Sequence, residues 1–177
     1  MNKMLIMASF IITVLFLGCT GEPKNDANST VDQTPQVAVD NSGSATNANP
    51  VGDAPYADIL TLNYWVFEKY YHPDKAQKDL GKGRWFKFEK DGTFVSGRWK
   101  DQTASGTWIS YAADGKIFIR IDSTIDREDA EFEIQAMTQA QDQMAWVGTA
   151  AFPNYDPVSL VTTNLLTIPT KAQFGVE

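Results

Sequence analysis

Beyond residue 56 the chain alternates apolar and polar positions in short runs, each stopped by turn residues. In 84–90, Phe86 and Phe88 share one face while Trp85, Lys87 and Glu89 share the other. Asp91-Gly92 then signals a hairpin, because both residues tolerate the positive φ of tight hairpin turns. The run 93–100 returns from it, 105–111 follows, and Asp114-Gly115 makes a second such turn. In 116–121 isoleucines alternate with Lys116, Phe118 and Arg120, and in 130–139 Phe132, Ile134 and Ala136 stand opposite Glu131, Glu133 and Gln135. The aromatic-rich run 64–71, stopped by Pro73, and the runs 144–151 and 158–168 bring the count to about eight strands. This pattern predicts an all-β, antiparallel up-and-down meander, and closure into a small barrel would remove its exposed edges. The one predicted helix is short, at 73–80, ended by Gly81.

The amino-terminal region follows a different grammar. Lys3 precedes an apolar run over 4–17, interrupted only by Ser9 and Thr13. That run is shorter than the roughly twenty residues a membrane-spanning helix needs, and it reads as a signal peptide over 1–18. Leu15-Phe16-Leu17-Gly18-Cys19 resembles the lipobox of bacterial lipoproteins, with Phe16 where the family pattern usually has Leu. The resemblance implies cleavage before Cys19, a diacylglyceryl thioether such as a palmitate-bearing one on its sulfur, and stable anchoring by more than one acyl chain. Cys19 is the only cysteine, so the mature protein is expected to hold no disulfide and no free thiol.

Residues 19–55 are rich in Asn, Ser, Thr, Asp, Gly and Pro and carry no aromatic. Such a stretch buries too little apolar surface to fold and reads as a disordered tether with a reach of order 30–35 Å. Every tryptophan and tyrosine, and every phenylalanine except Phe10 and Phe16, lies in 56–177. About 120 residues is a normal size for one domain, and this one is expected to be a monomer.

Within that domain, Trp85-Phe86-Lys87-Phe88-Glu89-Lys90-Asp91-Gly92-Thr93-Phe94, then Gly97-Arg98-Trp99, Gly106-Thr107-Trp108 and Asp114-Gly115-Lys116, is similar to small bacterial lipocalin-like domains. The likeness spans about residues 60–150 and departs from the family in two places. Leu62-Asn63-Tyr64-Trp65 lacks the usual glycine, and an insert at 72–83 carries Lys75, Lys78 and Lys82. The resemblance implies a barrel that binds a small apolar or amphipathic ligand at the cell envelope, on the outer membrane in preference to the inner.

Residue chemistry argues against an enzyme. His72, the only histidine, has no evident orienting partner, and no nucleophile elbow, zinc-binding helix or phosphate-cradling loop occurs. Asp122, Thr124, Asp126 and Glu133 loosely mimic a calcium loop. Arg127 stands where such a loop needs glycine, so a solvated turn is the expected reading. Neither metal nor cofactor is expected, and the net charge of −7 argues against nucleic acid as a partner. The aromatics are expected to fill the barrel, with a sharper alternative: a pocket of Phe88, Trp108 and Trp146 anchored by Arg98 or Arg120. A carrier of a small hydrophobic ligand is therefore weighed against an interaction module that binds protein or glycan through its surface.

Overall fold

The computed structural model describes residues 48–153 and 158–177. The expected signal peptide, Cys19 and the tether as far as residue 47 lie outside the described residues. Eight antiparallel strands pair in chain order and the last closes on the first. They are β1 (Tyr64–Tyr71), β2 (Arg84–Phe88), β3 (Thr93–Arg98), β4 (Asp101–Ala113), β5 (Lys116–Ser123), β6 (Ala130–Met137), β7 (Gln143–Gly148) and β8 (Ser159–Leu165). The chain thus forms the up-and-down, lipocalin-like barrel that its alternation predicts.

Turn chemistry sets the register. Asp114 and Gly115 take φ of 51° and 72°, a left-handed pair whose twist matches that of the flanking strands. At the other Asp-Gly, Gly92 sits at φ 86° while the Asp91 carboxylate accepts from the Thr93 amide at 2.9 Å.

The period of two places one face of each strand inside. Trp65 and Phe67 on β1 meet Phe86 and Phe88 on β2, with Phe94 on β3 and Trp108 on β4. Ile119, Ile121, Phe132, Ile134, Met144, Trp146 and Leu160 complete the interior from the other strands. Each such side chain contributes about 1.5–3 kcal/mol when fully buried. Phe88 packs against Trp108 with centroids 4.8 Å apart, and Trp146 lies 5.7 Å from Phe132 and 6.3 Å from Trp65. The interior is filled by rings.

Two expectations are corrected. Ala136 does not continue the inward face of Phe132 and Ile134: the β6–β7 register shifts between Ile134 and Ala136, leaving Ala136 exposed and Met137 packed on the core. An extra residue in one strand turns all later side chains over. The helix predicted at 73–80 is only a 3₁₀ turn, Lys75–Gln77, capped by Asp74. So short a segment needs an apolar face to pack, and Leu80 stays 48% exposed.

Val51 and Pro55, read from the sequence as part of the tether, touch the barrel. The Val51 amide donates to the Lys90 carbonyl at 3.1 Å, and Val51 rests against the core. A smaller aromatic cluster lies outside the barrel. The Trp85 indole donates to the Trp99 carbonyl at 2.8 Å, Tyr64 meets Trp85 edge-on, and Phe174 of the 3₁₀ turn Ala172–Phe174 meets Trp99 edge-on at 5.7 Å. Gly83 is required there: at φ 73°, a Cβ would lie 2.5 Å from the Trp99 ring.

Candidate functional site

An up-and-down barrel has two ends, and here they differ. At one end the helix α1 (Ala57–Leu60) acts as a plug, with Leu60 fully buried. The buried Trp65 indole donates to the Leu60 carbonyl at 2.9 Å, and the Ser110 hydroxyl donates to the Pro55 carbonyl. Both bonds use interior side chains to hold the plug, so this end is shut.

The other end is a mouth. Here β1, β3, β5 and β7 finish and β2, β4, β6 and β8 begin, so their end residues form a ring. A pocket of about 110 Å³ sits inside it. Its floor is apolar, made by Phe67, Phe86, Phe132 and Leu160, with Phe152 and Val158 beside them. Its rim is charged, carrying Arg84, Arg127, Glu128, Asp129 and Glu131.

The rim charges are organised by the 3₁₀ turn Asp126–Glu128. Arg84 Nη2 meets Glu128 Oε2 at 3.3 Å, while its guanidinium lies 5.8 Å from the Phe67 ring centroid. This pair ties the start of β2 to the turn across the mouth. Asp129, 7% exposed, accepts from the Ser123 amide at 2.7 Å. Burial, helped by the charges of Asp122 and Asp126, outweighs that hydrogen bond and pushes the Asp129 carboxyl up to about 6.

Glu131, also 7% exposed, is the most heavily bonded carboxylate among the described residues. It accepts from Arg120 Nε at 2.8 Å, from the Tyr111 hydroxyl at 2.5 Å and from Thr149 Oγ1 at 2.7 Å. Burial works to raise its carboxyl, but the hydrogen bonds from Tyr111, Thr149 and Arg120, with the Arg120 charge, hold it below the ordinary range. Burial and the bond to Glu131 together push the Tyr111 hydroxyl up to about 12.

Comparison with family models, with curated proteins and with solved structures finds no match for this chain. The site therefore stands on its own geometry.

The five candidate ligand residues from the sequence fall in three places. Phe88, Trp108 and Trp146 do come together, but inside the packed core, at 0%, 2% and 0% exposure. Arg98 lies on the outer surface, its Nε donating to the Lys82 carbonyl at 2.9 Å. Arg120 is on the outer face of β5, bound to Glu131 and Tyr111. None of the five lines the mouth pocket. The loose calcium-loop set disperses too. Glu133 pairs with Lys116 at 2.9 Å and the Thr124 hydroxyl donates to Ser105, and no metal-holding group occurs among the described residues. His72 accepts from the Asp74 amide at 2.9 Å and stacks on Tyr70, an ordered turn outside the pocket lining.

Sequence reasoning missed Arg84, Arg127, Glu128 and Thr149. A signal was present: in a meander every second connection lies at the same end. The segments 72–83, 99–100, 124–129 and 149–153 must therefore share a rim.

Proposed function

We propose that this protein is an envelope lipoprotein, anchored through lipid on Cys19, whose barrel binds one small amphipathic molecule in the mouth pocket. The observation that carries the reading is the pocket itself, a water-accessible recess with an aromatic floor and a charged rim at an otherwise filled barrel. Its size narrows the ligand. A cavity of about 150 Å³ holds one benzene, and sites for drug-sized molecules begin near 300 Å³. About 110 Å³ is smaller than either, so the pocket suits a ring that enters only in part from the open mouth, or the end of a short chain, not a whole lipid. Val51 bonds Lys90 at the plug end, so the mouth lies at the opposite end of the barrel from that residue.

The ligand reading is tested by filling the pocket. Ala130 lines it and packs on the core, and Ala130→Leu should occupy the space a ring would take. With benzyl alcohol as probe, amide shift changes are expected around Ala130, Gly148 and Thr149 in the native chain and are expected to vanish in the variant. Shifts that persist unchanged in Ala130→Leu would place binding elsewhere. The anchor is tested separately: Cys19→Ala should move the chain from the detergent phase to the aqueous phase, and retention in detergent would refute lipidation.

A second reading, an interaction module, is favoured by Tyr71 and Leu80. These large side chains are 57% and 48% exposed at and after the end of β1, on the mouth side of the barrel. Under it the pocket would receive one side chain of a protein partner.

A further inference from the structure

The rim of the mouth pocket holds charges of both signs, but they are not equally available. Glu128 is paired with Arg84, Glu131 accepts from Arg120, Tyr111 and Thr149, and Asp129 is bonded to the Ser123 amide. Each carboxylate that lines the pocket therefore already accepts at least one bond. The two guanidinium groups differ. Arg84 spends one of its five donor hydrogens on Glu128, at a long 3.3 Å. Arg127, exposed on the Asp126–Glu128 turn, has no hydrogen bond or ion pair among the described residues. Among the described residues, Arg127 is thus the rim charge without a partner, and it is a cation.

From this we infer that the pocket selects a small amphipathic anion, a monocarboxylate bearing one ring or a short chain. The inference rests on the ligand reading given above. The apolar part would lie on Phe67, Phe86 and Phe132, and the carboxylate would meet Arg127 with Arg84 beside it. A cationic ligand is disfavoured on two counts. Its carboxylate partners already share their charge with Arg84, Arg120 and the Ser123 amide, and the face of Phe67 already carries the Arg84 guanidinium. A neutral ligand would not neutralise Arg127 and would gain only the apolar contact.

Three probes with the same ring separate these cases: benzoate, benzyl alcohol and benzylamine, titrated calorimetrically into the full chain at pH 7. Benzoate is expected to bind about tenfold more tightly than benzyl alcohol, the scale of a charge-assisted hydrogen bond, and benzylamine more weakly than either. Arg127→Gln should remove the benzoate advantage over benzyl alcohol with thermal stability unchanged, since Arg127 is exposed and has no hydrogen bond or ion pair among the described residues. Equal affinity for all three probes, or tightest binding of benzylamine, would overturn the anion assignment while sparing the pocket. Failure of all three to bind would remove the ligand reading and this inference with it. Loss of benzyl alcohol binding in Arg127→Gln would show that the variant disturbs the pocket rather than an anion contact, and would overturn the role given to Arg127.

Discussion

Trp146→Ala is expected to lower the stability of the domain by about 3–5 kcal/mol, the range for truncating a buried ring in a packed core. Trp146 is fully buried and packs against Trp65, Phe86, Phe88 and Phe132. Its removal leaves a void that strands closed into a ring cannot collapse to fill. Small domains have only about 5–15 kcal/mol to lose, so the variant should sit near the edge of folding. The midpoint of thermal unfolding should fall by roughly 10–25 °C. Urea denaturation followed by tryptophan fluorescence is the direct measurement. A loss under about 1 kcal/mol would mean that Trp146 faces open space, as a ligand-lining tryptophan would.

The second large effect concerns Arg120. Arg120→Ala should cost about 2–4 kcal/mol at pH 7, because it strips the cation from a carboxylate that is 7% exposed. The pH dependence distinguishes this from lost packing. In the native protein the Glu131 carboxyl lies below its ordinary value of 4.5. Its stabilising contribution is therefore complete above that value and is lost as pH falls through the folded pKa. Without Arg120, burial gains on the remaining hydrogen bonds and the carboxyl moves upward. The cost of the substitution should then shrink as pH drops from 7 toward 4, since a protonated Glu131 needs no counter-charge. Asp129 has the opposite slope: held at about 6 instead of 3.8, it removes stability as pH rises through that window. Comparing Arg120→Ala with the native chain at each pH cancels that contribution. A cost that stays constant from pH 4 to 7 would assign the loss to packing alone.

Particular residues show how far the fold was legible in the sequence. Alternation in 84–90 and 116–121 and the two Asp-Gly turns specified pairing and register, because one buried face and one tight turn leave few alternatives. The bulges carried no such mark. At Phe67/Lys69, Ser96/Gly97 and Ile134/Ala136 the register shifts, and Ala136 ends on the wrong side of a simple alternation. Site residues were less legible for a different reason. Tryptophans attract attention as ligand contacts, yet their large apolar area makes them the side chains a small barrel most needs inside. The pocket belongs to residues such as Arg84 and Thr149 at strand ends, whose sequence neighbourhoods are unremarkable. Only ring closure brings them to one rim.

Closure of the ring also governs how the molecule can assemble. Most pairings join strands that are neighbours in sequence, as across the Asp114-Gly115 turn. The seam between β1 and β8 is different: Tyr64 pairs with Leu165, and Asn63 bonds Asn164 across 101 residues. Contacts so distant in sequence carry the largest loop-closure entropy and form slowest. Until the last strand emerges, β1 and β7 each present an unpaired edge able to recruit a strand from another chain. The pace of folding, and the interval in which aggregation competes with it, are therefore set at this one seam.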